Sequence, residues 1–319
     1  MDFIPSALRN WIPYKITVRD GEAYSDWFDL GDQRLIEPFF EDTLSTRRQV
    51  VVPKSLRPVS LLDILPEWGN AMDSIAPTAF IFHVSRCGST LVSQLLSMDE
   101  SNICLSEVPF FDELLRLPYK LPGIPLSSID KYLYSAIQMH GQRRTGEEQH
   151  LFIKTDCWHI FFYERLRKLY PGIPFILLYR SPDEVLRSQQ KRKGIQAVPG
   201  IIEPQVMGLT DDDTITADLD LYFSKVMEKI FAAFYTIAKK DDNVLLANYN
   251  EGIMTMMEKI TAFFNIQIAP AMLDQWKERT QFHGKYPKEV FEKEKKASEM
   301  PAFIEESMSW YKKLEEIRK

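Results

Sequence analysis

Four short runs of the chain, AFIFHV (Ala79 to Val84), LFIKT (Leu151 to Thr155), PFILLY (Pro174 to Tyr179) and VLLANY (Val244 to Tyr249), are apolar without alternation. A strand with one wet face alternates apolar and polar residues, so continuous runs predict strands buried on both faces, the habit of a parallel sheet covered by helices. Helical patterns follow them, over residues 89–98, 159–170, 182–193 and 251–264, the third with a proline in its first turn, where no N–H is needed. From residue 76 onward this alternation predicts an α/β fold, three layers with a parallel sheet in the middle.

Residues 216–239 carry Tyr222, Phe223, Val226, Met227, Ile230, Phe231, Phe234 and Tyr235 at helical spacing, a stripe that reads as core. The preceding residues 194–214 show no periodicity and exceed the usual connection length, so they read either as a lid or acceptor-facing loop or as a surface excursion. Residues 1–75 read differently: YKITV and YSDWFDL on either side of Asp20-Gly21 predict a β-hairpin, followed by a short helix over 34–44. We divide the chain into an extension, 1–75, and an α/β domain, 76–319. The late stretch KEVFEKEKKASEM mixes charge signs as a solvated helix face does.

Composition narrows the partners. With 319 residues, 45% hydrophobic, the chain is long enough for a large core. A net charge of −6 lacks the footprint of a general nucleic-acid binder, so an anionic ligand needs a local site. No apolar run approaches the length of a membrane span, the N-terminus lacks a basic-then-apolar signal pattern, and three cysteines without a CxxC fit a reducing compartment. The expectation is a cytoplasmic protein. The five histidines show no HxxxH or HExxH spacing, so no metal site is expected.

Ligands of parallel α/β sheets sit beyond the carboxyl ends of the strands. After the first strand comes Ser85-Arg86-Cys87-Gly88-Ser89-Thr90, opening into the helix LVSQLL. A strand, a short glycine-containing turn and a helix N-terminus make a P-loop-like anion cradle, because unpaired N–H groups and the positive dipole end converge there; the alternative is a plain βα turn with a serine cap. His83 stands where a Walker A motif has its first glycine and Ser89 where it has lysine, which disfavours a nucleoside triphosphatase. Cys87, beside Arg86 at a helix N-terminus, has the setting of a reactive thiol, or is a small packing residue. Later, PFILLYRSPDEVLRS puts Arg180 directly after a strand and Ser188 two turns into the next helix. An arginine there offers a planar fork to a phosphate, or caps the sheet edge.

The pair FHVSRCGSTL and RSPDEVLRS, in that order and on those elements, resembles the two phosphate-binding signatures of the sulfotransferases that use 3′-phosphoadenosine 5′-phosphosulfate (PAPS). The resemblance covers residues 76 to 290. It implies that Arg86, Cys87, Gly88, Ser89 and Thr90 cradle the 5′-phosphosulfate, with Arg86 where many members have lysine, and that Arg180 and Ser188 take the 3′-phosphate. LLANYNEGI resembles the segment with a Tyr-Glu pair, here Tyr249-Asn250, and QFHGKYPKEVF the basic loop over the nucleotide, with Lys285 and His283 its candidates.

The reaction so implied is in-line transfer of a sulfuryl group to a hydroxyl or amine of a small-molecule or glycan-like acceptor, leaving adenosine 3′,5′-bisphosphate. By analogy with phosphoryl transfer, positioning and charge do most of the work, with Arg86 and Lys154 supplying the charge. The family commonly has a histidine two residues after this lysine; here that residue is Asp156. The base is then Glu107, in the SEVPFF segment that resembles the acidic segment of glycan-type and bacterial members, or Asp156, or His159. Glu107 also reads as a helix cap, His159 as structural, and Asp156 as an orienter of Lys154 or an N-cap. Two rivals stand beside this reading: a Mg²⁺-dependent phosphotransferase with Asp156 on the metal, and a non-catalytic nucleotide-binding protein.

Overall fold

The computed structural model describes residues 7–50, 58–282, 284–285 and 300–318. KEVFEKEKKASEM, Met300 apart, and His283 lie outside them. Near the N-terminus β1 (Trp11–Arg19) and β2 (Glu22–Asp29) pair antiparallel with Arg19 opposite Glu22. Both residues of the connection have positive φ, Asp20 at 51° and Gly21 at 79°, the conformation whose twist matches the flanking strands. A third strand, β3 (Val59–Leu61), joins β2. Helix α1 spans Phe40–Val50, several residues later than the sequence pattern suggests. Pro38 is the reason: it bars Glu37 from the helical region, so the helix starts beyond it. Helix α2 (Leu65–Asn70) follows.

The parallel sheet contains β4 (Ala79–His83), β5 (Asn102–Ser106), β6 (His150–Lys154), β7 (Phe175–Tyr179) and β8 (Val244–Asn248), in the order β5-β6-β4-β7-β8. After β4 the chain builds first to one side and then, from β7, to the other. The carboxyl ends of β4 and β7 therefore mark the topological switch point, where α/β folds bind ligands. Between the strands run α3 (Ser89–Ser97), α4 (Pro109–Lys120), α5 (Leu126–His140), α6 (Tyr163–Leu169), α7 (Pro182–Lys191) and α8 (Leu219–Lys240); α9 (Ile253–Phe263), α10 (Pro270–Arg279) and α11 (Glu305–Ile317) follow. The fold is α/β with an N-terminal hairpin, as the sequence predicts.

The helix expected over 159–170 is a 3₁₀ segment, Cys157–Phe162, running into α6. Helix α8 begins at Leu219, where the Asp218 carboxylate accepts the N–H groups of Asp220 and Leu221 at 2.9 and 3.1 Å. Residues 194–214 fold into three 3₁₀ turns, 195–197, 204–207 and 211–214. A single turn is too short to print a period in the sequence, which is why the segment reads as featureless.

The chain divides into two compact units. The first is Met1–Phe80, Ser93–Thr155 and Arg165–Ile173. Its core includes Ile12, Trp27, Leu44, Leu65, Phe110 and Leu133; Trp27 packs on Trp68 with centroids 4.9 Å apart and its Nε1 donates to Ser60 Oγ at 2.9 Å. The second is Ile81–Val92, Asp156–Glu164 and Pro174–Lys319. Its core is the α8 stripe, with Tyr222, Phe223, Val226, Met227, Ile230, Phe231 and Phe234 buried, plus Phe82 stacked on Phe175 at 5.3 Å. Each such ring contributes about 2–3 kcal/mol of burial free energy. Among the described residues no helix is long and apolar enough to cross a membrane.

Candidate active site

In the second unit β4 delivers the loop Ser85–Thr90 to the N-terminus of α3. Ser85 and Arg86 take left-handed φ values of 66° and 52°, and Gly88 takes 80°. Side chains disfavour this region, so the loop turns in a way that few sequences adopt. The loop is held in place by bonds at each residue. The Ser85 N–H donates to His83 Nδ1 at 3.0 Å, and its hydroxyl accepts from Gln189 Nε2 and Gln196 Nε2, both at 3.0 Å. Arg86 donates through Nη2 to the carbonyl of Arg192. The Gly88 carbonyl starts the α3 ladder by accepting the Val92 N–H at 3.0 Å, and Ser89 and Thr90 are buried in its first turn.

Cys87 is 0% exposed and its Sγ donates to the Leu178 carbonyl at 3.3 Å. The thiol therefore points into the sheet, where burial keeps reagents from it, and only the backbone of Cys87 belongs to the cradle.

Beside the cradle, β7 ends at Tyr179 and Arg180 follows at once, 8% exposed. Its guanidinium lies over the Tyr249 ring, 4.9 Å from the centroid, and its Nε donates to Glu184 Oε2 at 3.2 Å. The same Glu184 oxygen accepts from Asn250 Nδ2 at 2.7 Å. The Cδ2–Cε2 edge of the Tyr249 ring also lies against the cradle: a Cβ placed on Gly88 would stand 2.5 Å from Tyr249 Cδ2. One aromatic ring thus touches both anion motifs. Ser188 is half-buried on α7, and Lys285 is half-buried beyond α10.

Helix α7 links the motifs a second way. Arg180 precedes its N-terminus, while Gln189 and Arg192, at its C-terminus, hold Ser85 and Arg86. Near its start the Asp183 carboxyl stays below the usual carboxylate range: burial alone would raise it, but the Ser181 hydroxyl and the Arg187 guanidinium outweigh that. Residues 194–214 open at this same place, with the Gly194 N–H on Gln189 Oε1 at 2.7 Å and Gln196 on Ser85.

The first unit contains Lys154 and Glu107. They meet because β5 and β6 are parallel neighbours, with Ser106 opposite Lys154 at the strand ends. Glu107 is next in the chain with φ 54°, its N–H donating to the Lys154 carbonyl at 2.8 Å and its Oε1 accepting from Lys154 Nζ at 2.5 Å. Lys154 is 1% exposed and lies 5.0 Å above the Phe39 ring. A buried ammonium needs such partners. In the second unit Asp156 occupies the N-cap position of the 3₁₀ segment without a side-chain capping bond; its Oδ2 lies 3.7 Å from Nε2 of the buried His159.

The sequence reading missed Glu184, Gln189, Gln196 and Phe39. Glu184 had a legible signal, since a carboxylate four residues after Arg180 at a helix start falls within its reach. The glutamines and Phe39 had none, because only the tertiary fold brings them near the loop and the lysine.

No family model matches the chain, and no curated protein is similar to it. Among solved structures the fold is similar to the sulfotransferase STF9 of Mycobacterium avium, at 12% identity and a TM-score of 0.45 over 76% of this chain and 76% of that one. It is similar to the sulfotransferase STF1 of Mycobacterium tuberculosis H37Rv, at 10% identity and a TM-score of 0.41 over 64% and 72%. It is also similar to the sulfotransferase domain of the curacin biosynthetic pathway, at 14% identity and a TM-score of 0.42 over 63% and 78%. These neighbours are sulfotransferases, the family that the motifs FHVSRCGSTL and RSPDEVLRS resemble.

Proposed function

We propose that the protein transfers a sulfuryl group from PAPS to a hydroxyl or amine of a small-molecule or glycan-like acceptor. The observation that carries this is Tyr249, whose ring packs on Gly88 of the cradle and under the Arg180 guanidinium. Two anion-binding elements bridged by one ring suit a nucleotide with phosphate-type groups at two ends and an aromatic base to stack. The residue set fits such a ligand: a left-handed loop with a glycine that admits no Cβ, two hydroxyls at a helix N-terminus, and a buried arginine at the switch point.

In this reading the backbone of Cys87 and Gly88, with Arg86, Ser89 and Thr90, holds the 5′ end of the nucleotide; Arg180 and Ser188 hold the 3′-phosphate, and Tyr249 and Lys285 complete the site. The bound nucleotide supplies a sulfuryl group already attached to a phosphate leaving group. The resemblance gives Arg86 and Lys154 the task of supplying positive charge, which acts without reorganisation where it is fixed in advance. Glu107 takes the acceptor proton. Its backbone turn and its bond to Lys154 fix where that carboxylate stands. Asp156 and His159 stand 3.7 Å apart, and we assign them a supporting role.

Calorimetric titration with adenosine 3′,5′-bisphosphate, beside ATP with Mg²⁺, tests this. Wild type binds the bisphosphate, Arg180→Ala loses it, and Glu107→Gln keeps binding while transfer falls by about 10²–10⁴-fold, the usual worth of a general base. Binding of ATP with Mg²⁺ alone overturns the proposal in favour of phosphoryl transfer.

A further inference from the structure

We propose that Glu184 is the resident counter-ion of Arg180: it aims the guanidinium and, by its charge, weakens the hold on the anion that shares that arginine. The proposal rests on the nucleotide reading above and concerns how tightly the same site binds.

Arg180 cannot be left bare. Its side chain is only about a tenth exposed, as is the ion pair it makes, with side-chain exposures of 10% for Arg180 and 15% for Glu184. A guanidinium so placed costs free energy unless a carboxylate and hydrogen bonds compensate it. Glu184 does so from one turn along α7, taking Nε at 3.2 Å. Asn250, from the turn after β8, donates to the same carboxylate oxygen at 2.7 Å, and its own N–H is held by Asn248 Oδ1 at 3.0 Å. Glu184 is therefore clamped between α7 and the β8 turn, and Arg180 is clamped between Glu184 and the Tyr249 ring.

An anion arriving at Arg180 joins a guanidinium that already carries a carboxylate. Two anions on one guanidinium stand within about 6 Å of each other, and in a half-buried setting their repulsion is little screened. The cost falls only on a ligand with a charged group at this position. Glu184 thus trades affinity for a pre-aimed arginine, and it favours release of a nucleotide that keeps its 3′-phosphate after reaction.

Glu184→Gln separates charge from geometry, because the amide oxygen still accepts from Arg180 and Asn250. The variant binds adenosine 3′,5′-bisphosphate about tenfold more tightly than wild type, while adenosine 5′-phosphosulfate, which has no 3′-phosphate, changes less than about twofold. Asn250→Asp, on an exposed residue, replaces the donor to Glu184 with a second carboxylate beside the pair and moves bisphosphate affinity the other way. Calorimetry of the three proteins, with thermal melts to verify folding, reads both. Unchanged or weaker bisphosphate binding in Glu184→Gln, or equal tightening for both nucleotides, overturns the counter-ion role. Wild type that binds neither nucleotide overturns the parent reading, and this proposal with it.

Discussion

Six non-glycine residues among those described have left-handed backbone. Asn10, Asp20 and Asn265 are of types whose short polar side chains tolerate it. The other three are Ser85, Arg86 and Glu107, which have no such excuse, and they fall in the motif segments SRCGST and SEVPFF. Each stores about 1–2 kcal/mol of strain, which persists because the surrounding bonds over-determine it. Replacing Arg86 with glycine relieves that strain and removes the side chain's bond to the Arg192 carbonyl along with its other contacts. Denaturant unfolding should therefore show stability within about 1 kcal/mol of wild type, while sulfuryl transfer drops by at least about 10²-fold. Gly88→Ala costs both stability and binding. The new Cβ meets the Tyr249 ring at 2.5 Å and sits at φ 80°, so stability falls by about 2–3 kcal/mol and the bisphosphate binds weakly.

Helix α11 acts at the scale of elements. The Tyr179 hydroxyl donates to Glu315 at 2.5 Å, Ser181 Oγ lies 3.9 Å from the Met308 sulfur, and Asn248 Nδ2 donates to the Tyr311 hydroxyl at 2.9 Å. Arg180 is thus bracketed on both sides by residues tied to α11, and Tyr249 follows another. Tyr311→Phe leaves the buried Asn248 amide without this acceptor, at a cost of about 1–3 kcal/mol. Unfolding curves should show that loss, and calorimetry a parallel loss of bisphosphate affinity. This buttress lies outside the stretch whose motifs could be matched. The strands were legible because burial on both faces leaves an unbroken apolar run, and β7 matches its run almost residue for residue. Arg180 and the cradle were legible because they directly follow such runs. Tyr249 was named from its segment, but its packing on Gly88 is a tertiary fact, as are the glutamines on Ser85. Strand β5 is not among the four predicted runs, because in NICLS only three apolar residues stand between polar ones.

At the scale of the whole molecule, a net charge of −6 means that an anion has to be held by a local site. Stability has its own pH dependence, set away from that site. His140 is 1% exposed between the rings of Phe40 and Phe111, and burial pushes its pKa down to about 3, against the pull of the Ala136 carbonyl 2.8 Å from Nδ1. Because the unfolded imidazole titrates near 6.5, the unfolded chain binds the proton first as pH falls. The contribution is complete above pH 6.5 and is lost toward pH 3. About 2 kcal/mol should disappear between pH 6.5 and 4.5, a contribution to the slope that His140→Leu removes in unfolding measurements across that window. Helix α7 has a further consequence. With the arginine fork before its first turn and the cradle's anchors, Gln189 and Arg192, around its last, it serves as a ruler that sets one motif's phase against the other's. Inserting a single residue between them would swing one end about 100° around the axis, and only a gain or loss near a full turn would restore the facing, displaced by about 5–6 Å. The eight-residue interval from Arg180 to Ser188 lies along this ruler, so it records a length that the fold must keep, whatever the two side chains bind.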